Sequence, residues 1–591
     1  MVLLHLASPS PAPSIVLTSP DRWLRRELPA VRSQSMAGPF LVAGVYVLAP
    51  CVGRRIISRE RDAKRLDELK EEVARMINEE TVVVDDKLEL IDALQQLGID
   101  YHFEKEIKHA LDSIFSKLDD IRMETKGNAY IIALLFRLLR GHGFRVSQDI
   151  FDQFKDEKGN FKSNLSNQII SLLSLYEASY LAVDGEDTLV EVQNFTIRHL
   201  NNFLLDSSDD NYKLRDYVAC ALEQPIHWRM ERLHTRWFIN AYEKEEEMRP
   251  LLLEFAKLDF NAVQNTYKRE LKEVSRWWSN LGLWEKLPFS RDRLAENYLW
   301  SVGWAFEPKH STFRLAQTKA NSLVTVIDDV YDVYGSLDEL ELFTEAVDRW
   351  DALNIKQLPE YMRVCFLALF NTTNDTAYET MKEKGLNILP YIKRAGTLLQ
   401  NEGYSCNKKT HSGTDLCKAY LVEAKWYNKN YIPTLEEYLQ NGWLSISGQV
   451  VLFYAYCLAP DLTQQDLDLF HNYSEIIRWS SITCRLYNDL GTSKSEHQRG
   501  DVAKSIHCCM HHEGITEAAA RERIKELIYD CWKKLNRARR VDSAFNKNFA
   551  DIAMNMSRTA RSFYIHGDGY GSPEGETKDR IISLLIEPVQ I

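Results

Sequence analysis

Apolar side chains recur at three- and four-residue steps through most of the chain. Leu66, Leu69, Val73 and Met76 mark one stripe, and Leu88, Ile91, Leu94 and Leu97 another. Such spacing puts each set on one face of an α-helix. The segments Ile131 to Leu139, Gln168 to Leu181 and Met248 to Trp278 continue it, and alternating strand patterns are essentially missing. The expected fold class is all-α. No short solenoid repeat is found, although paired helices can still build a barrel-like double layer. The pattern breaks at Ser279 to Pro288, S-N-L-G-L-W-E-K-L-P, where Gly282 and Pro288 interrupt two long helical regions. A chain of 591 residues is too long for one ordinary core. The break predicts a helical domain over 59–278 and a second over 279–591.

One apolar run in the second domain ends unlike the others. Val324 to Gly335, V-T-V-I-D-D-V-Y-D-V-Y-G, carries no charge until it delivers Asp328, Asp329 and Asp332 together. On an α-helix Asp328 and Asp332 share a face, and Asp329 points about 100° away. Three carboxylates in one turn repel one another unless cations sit against them. Mg²⁺, a hard cation that takes oxygen ligands, is the natural candidate, with Mn²⁺ as an alternative. Because Mg²⁺ held by one or two carboxylates completes its shell with water and phosphate, a phosphorylated substrate is implied. Clusters of this kind are also common on solvated faces of acidic helices, but Leu323, Val324, Val326 and Ile327 are wrong for such a face. The acids are expected at the end of a buried helix, against a cavity.

Other residues fit the same chemistry. Arg291 and Arg293 flank Asp292 just after Pro288, in a loop or at a helix start. Guanidinium groups hold diphosphate oxygens through paired hydrogen bonds at any working pH. Farther on, Asn488, Thr492 and Glu496 are spaced i, i+4, i+8, a stripe of oxygen ligands suited to a second Mg²⁺ site, with Arg485, Arg499 and Lys504 around it. Two ligand helices plus cationic side chains describe a cage for three Mg²⁺ ions and a diphosphate. Its chemistry is ionisation, in which charge on the departing diphosphate is stabilised without a protein nucleophile. The carbocation left behind calls for a dry, apolar, aromatic pocket. Trp300, Trp304, Tyr564 and Tyr570 are the candidate liners, Trp300 first among them.

Composition narrows the classes further. The chain is 45% apolar and 27% charged, with a net charge of -12, which argues against a nucleic-acid partner. Ten scattered cysteines form no C-x-x-C pair, so reduced thiols are expected and a zinc site or disulfide framework is not. The first 36 residues hold six serines and four arginines against two acids, the bias of a plastid or mitochondrial transit peptide. Residues 1–58 are therefore set apart as a transit peptide with an atypical extension, its apolar run at 37–52 too short to span a bilayer as a helix. No integral membrane span is expected.

The sequence resembles the plant class I terpene synthases, the angiosperm monoterpene synthase group in particular. The residues that carry the likeness are Arg291-Asp292-Arg293, I-D-D-V-Y-D at 327–332 and N-D-L-G-T-S-K-S-E at 488–496. They are joined by L-Q-Q-L-G-I at 94–99, L-Y-E-A-S-Y-L at 175–181, S-I-S-G at 445–448, R-G-D-V-A-K-S-I at 499–506 and G-D-G-Y-G at 567–571. The resemblance covers residues 60 to 591. It implies an N-terminal helical domain without an active site of its own and a C-terminal catalytic domain. It implies further that Asp328 and Asp332 ligate two of three Mg²⁺ ions and Asn488, Thr492 and Glu496 the third. Asp329 would hold the network through cationic residues, Arg291, Arg485 and Lys504 would grip diphosphate, and the Arg499 to Lys504 loop would close as a lid. Trp300 matches a cavity-lining Trp of the family.

The resemblance predicts a lyase that ionises geranyl diphosphate to a monoterpene in the plastid, as a monomer or weak homodimer, with the cytosol as the alternative location. Three departures bear on this. A tandem arginine followed by a Trp at the family's distance is not found, since neither Arg25-Arg26 nor Arg54-Arg55 has one, which favours an acyclic product. A polar insert at 396–412 replaces a short connection, and Asn488 stands where Asp is more frequent. The alternatives are a sesquiterpene or isoprene synthase acting on another prenyl diphosphate, and a catalytically dead helical relative. A chain-lengthening prenyltransferase would want two Asp-rich motifs, and a cyclase that protonates its substrate an Asp-x-Asp-Asp motif; neither pattern is present.

Overall fold

The computed structural model describes residues 52–79, 82–206, 212–394, 413–469, 475–499, 502–541, 547–573 and 575–591. The transit-peptide region up to residue 51 and the polar insert at 396–412 lie outside the described residues, as do 500 and 501 of the expected lid. Among the described residues there is no strand, only an isolated bridge between Lys155 and Phe161, so the fold is all-α as the periodicity requires.

In the N-terminal part, a strongly apolar segment makes a deeply buried helix. Ala129–Gly141 begins where the Asn128 side chain accepts a hydrogen bond from Ile131 N (3.3 Å), an N-cap that satisfies one free donor. Ten of its residues are buried, and it packs against Ile169–Ser179. A helix apolar all round belongs in the middle of its domain.

The expected domain boundary falls inside a helix. Pro250–Leu281 starts with proline in its first turn, where no intrahelical N–H is lost, and stops at Gly282, whose left-handed φ of 61° suits glycine. This helix packs on Val52–Asn78 from the first domain and on both Leu294–Trp304 and Ser311–Asp329 from the second. One hydrophobic cluster accordingly runs across the boundary.

Polar contacts lock the same junction. Asn536 donates to Tyr180 O (3.0 Å) and Ala182 O (2.8 Å) and pairs with His227 (2.7 Å), while Trp228 stacks on Trp532 at 5.3 Å. Burial, with the Arg558 charge nearby, pushes the His227 imidazole down to about 3, so it remains neutral in this contact. At the C-terminus Asn261 donates to Val589 O (2.9 Å) and accepts from Val589 N (2.8 Å), fastening the tail to the long helix.

Candidate active site

Two helices face one another across a cavity in the C-terminal part. From Ser311–Asp329 and its continuation come Asn321, Val324, Thr325, Asp328 and Asp332; from Glu475–Arg499 come Cys484, Arg485, Asn488 and Thr492. Both sets follow the three- and four-residue step that keeps side chains on one face. The acids and the Asn/Thr stripe therefore look into the same space, as the spacing predicted. Glu496 lies on the second helix, and its side chain is outside the described residues.

The acid turn is not regular α-helix. After Asp329 the backbone opens into a π-turn over Val330–Tyr334, closed by Gly335 N donating to Val330 O at 2.8 Å. Asp328 thus sits on the last α turn and Asp332 on the wider one, exposed at the mouth. π-turns recur at functional sites. Here Gly335 permits the closure, since a Cβ there would lie 2.7 Å from Leu340 Cδ2 and 3.0 Å from Val330 O. Gly335→Ala is expected to reopen the turn, weakening metal-dependent turnover by an order of magnitude or so while costing about 1–3 kcal/mol by crowding; parallel activity and thermal unfolding measurements check it.

The three acids have different surroundings. Asp329 is 2% exposed and accepts from Arg291 N (2.8 Å) and Arg291 Nε (2.7 Å), while Arg291 Nη2 donates to Asp328 at 2.7 Å. Burial pushes the Asp329 carboxyl up, and the Arg291 guanidinium opposes that. The Arg291 charge is likewise disfavoured by burial but held firmly in place by Asp329 and Asp328. Asp329 does not line the cavity; its place is to anchor Arg291, which does.

On the facing side the cations are held in a similar way. Arg485 donates to Asn488 Oδ1 (2.9 Å), Ser445 Oγ (3.0 Å) and Gly442 O (3.2 Å), and Lys504 lies 3.5 Å from Glu423. Although burial would raise it, the Glu423 carboxyl is pulled below its usual range by Lys504 and Arg485. Beneath them Asp489, fully buried, accepts from the Tyr438 hydroxyl (2.9 Å) and Ser505 N (3.2 Å). Arg291, Arg485 and Lys504 thus reach the cavity together. Arg293 does not: its guanidinium donates to Tyr570 O (2.9 Å) and Gly571 O (2.6 Å), pinning that loop instead.

Below the charged rim the walls become apolar and aromatic. Trp300 stacks on Phe563 at 4.7 Å, and Trp304, Tyr420, Tyr564 and Tyr570 complete the ring faces. The Tyr570 hydroxyl is engaged by Thr325 Oγ1 (2.6 Å) and Asn297 Oδ1 (2.9 Å), which fixes the ring that Arg293 holds from behind. Burial pushes the Cys484 thiol up to about 12, so this wall offers no thiolate to a cation. Such a pocket offers ring faces and no strong nucleophile. One wall is a break between helices Leu435–Ser445 and Gly448–Cys457, where Ser447 takes a left-handed φ of 62°, an uncommon conformation for a non-glycine residue.

The sequence reading missed Glu423, Tyr438, Asp489 and the helix break. A signal existed for Glu423: it falls on the apolar stripe of its helix with Leu416, Ala419 and Tyr420, where a charge has to be paired.

Residues 52–222 match the family described as terpene synthase, N-terminal domain, and residues 279–534 the terpene synthase family, metal binding domain. Monoterpene synthase 8, chloroplastic, from Hedychium coronarium is 53% identical over 90% of this chain and 88% of its own. The chain belongs to the terpene synthase family. Among solved structures, limonene synthase with 2-fluorolinalyl diphosphate is 41% identical, with a TM-score of 0.83 over 90% of this chain and 95% of that one. Isoprene synthase from grey poplar leaves, in complex with three Mg²⁺ ions and dimethylallyl-S-thiolodiphosphate, is 43% identical, with a TM-score of 0.81 over 90% and 97%. A terpene synthase uses divalent metal, and the donors fit. Among the described residues no three acidic, histidine or cysteine side chains form a closed metal cage. An open set of one or two carboxylates is what Mg²⁺ takes when water and substrate phosphate fill its remaining positions. No helix among the described residues is long and apolar enough to cross a membrane.

Proposed function

We propose that this terpene synthase ionises geranyl diphosphate, releasing diphosphate and forming a monoterpene. The observation that carries the reading is a single cavity with acids and cations at its mouth and aromatic, nucleophile-poor walls beneath. Asp328 and Asp332 on one side, and Asn488, Thr492 and Glu496 on the other, would hold three Mg²⁺ ions. Bound metal supplies Lewis-acid neutralisation of the departing diphosphate. Arg291, Arg485 and Lys504 bind the same oxygens and orient the prenyl chain towards the aromatic end. Asp329 and Glu423 keep those cations in position before substrate arrives, so no reorganisation is needed as charge develops. Trp300 and Tyr564 exclude water and face the carbocation with their rings.

The names of the relatives support geranyl diphosphate as substrate, and those named chloroplastic support a plastid location. The test is incubation of the purified full-length chain with dimethylallyl, geranyl and farnesyl diphosphates, with Mg²⁺ or with EDTA, and analysis of volatiles by gas chromatography and mass spectrometry. An Mg²⁺-dependent C10 product, acyclic by the sequence expectation, is the expected result. Turnover of another chain length would change the substrate, and a folded protein inactive on all three would point to the dead relative.

A further inference from the structure

The helix Leu294–Trp304 sends Asn297, Trp300 and Trp304 into the cavity. Asn297 pairs with Ser322 at 3.3 Å and Ser301 with Thr318 at 2.9 Å, so this helix runs antiparallel to Ser311–Asp329. Each turn towards Trp304 therefore leads away from Asp328 and the mouth. Trp304 ends the helix, and because helical Cβ atoms tilt towards the N-terminus its indole stands back up into the cavity.

Two more elements meet it there. Asn555 donates to Trp304 O at 3.1 Å, which puts the neighbouring Met556, itself a cavity residue, at the same depth. Met556 lies eight residues, about 12 Å of helix, from Tyr564 near the mouth. Gly448 closes against it, since a Cβ there would fall 2.2 Å from Met556 Cε. The bottom is rigid. Asn555 is held by Arg558, whose Nη1 donates to its Oδ1 at 2.6 Å, and Trp304 is 3% exposed. The Trp304 N–H has no hydrogen-bond partner, although a buried indole N–H ordinarily finds one. What the ring contributes to this wall is its bulk.

We infer that Trp304 is the floor that fits this cavity to a C10 chain and excludes C15, a specificity role that rests on the prenyl diphosphate reading above. With diphosphate held by Arg291, Arg485 and Lys504, the hydrocarbon extends down the aromatic shaft until it meets the indole. Five further carbons need the space the indole fills.

The test is the ratio of kcat/KM for farnesyl over geranyl diphosphate in the full-length protein and in Trp304→Ala, Trp304→Phe and Met556→Ala, with circular dichroism as the folding control. Trp304→Ala is expected to raise the ratio about tenfold or more, as pocket-size discrimination of this kind spans ~10- to 200-fold. Trp304→Phe keeps most of the bulk and loses the N–H, and is expected to keep the wild-type ratio. Met556→Ala, on a different helix, should raise the ratio by less, and it supplies the same reading if Trp304→Ala does not fold. Geranyl turnover with an unchanged ratio in the alanine variants that fold overturns the floor, as does a Phe variant that matches the Ala variant. A wild-type protein that does not turn over geranyl diphosphate overturns the substrate reading instead, before any variant is compared.

Discussion

Asp328→Ala is expected to lower turnover by at least about 10³-fold, in the upper range for loss of one group that stabilises transition-state charge, while leaving the far-ultraviolet circular dichroism unchanged. Asp328 is half-buried at the cavity mouth, and it accepts a hydrogen bond from the Arg291 guanidinium, which Asp329 continues to hold. Removing it takes away an oxygen donor without emptying a packed site. Asp329→Asn should behave differently, although the residue is adjacent. Asp329 is buried and receives both the backbone N–H and Nε of Arg291, so the neutral side chain weakens charge-assisted bonds of about 1.5–3 kcal/mol. Lower thermal stability together with lower activity is expected there. Steady-state turnover at saturating Mg²⁺ and thermal unfolding, measured on both variants, separate the two roles. Retained turnover in Asp328→Ala would remove this acid from the metal site.

The contrast between these neighbours also shows what the sequence could carry. Helical periodicity put Asp328, Asp332, Asn488 and Thr492 on cavity faces because ligand spacing and helix period are both local properties. It did not foresee the π-turn that separates Asp328 from Asp332, since that depends on Gly335 meeting Leu340 from the next helix. Arg291 and Arg293 look alike in sequence, yet one faces the cavity and the other ties down the Tyr570–Gly571 loop. Arg291 is turned by the carboxylates of Asp328 and Asp329, and Arg293 by carbonyls nearly 280 residues away. Glu423, Tyr438 and Asp489 belong to the site only because three helices converge on Arg485 and Lys504, and spacing along one helix cannot show that convergence. That the expected boundary at 278/279 falls within a helix was hidden for a similar reason. A glycine marks the end of the Pro250–Leu281 helix, but only the packing shows that the helix serves both halves.

Arg314→Met is expected to destabilise the protein by about 3–5 kcal/mol, the usual cost of leaving one member of a buried ion pair alone. Arg314 is fully buried on the helix that ends in the acid turn. It donates Nε and Nη2 to the two oxygens of Glu270 (2.8 and 2.7 Å), on the Pro250–Leu281 helix. Burial works against its charge, and the Glu270 carboxylate and hydrogen bonds sustain it. Nη1 meanwhile donates to Ala305 O (2.9 Å) and Glu307 O (2.7 Å), capping the turn that follows Trp304. One guanidinium therefore joins the long helix, the acid-bearing helix and the cavity floor. Adding Glu270→Gln should recover part of the loss, because the neutral amide keeps an oxygen for the Tyr298 hydroxyl, which now donates to Glu270 at 2.7 Å, while removing the stranded charge. Thermal unfolding of the single and double variants measures this. A double variant no more stable than Arg314→Met would mean that the carbonyl caps, and not the ion pair, hold the two helices together. In either case the floor beneath the substrate should loosen with the fold, so product distribution is expected to broaden at temperatures where Arg314→Met is still mostly folded.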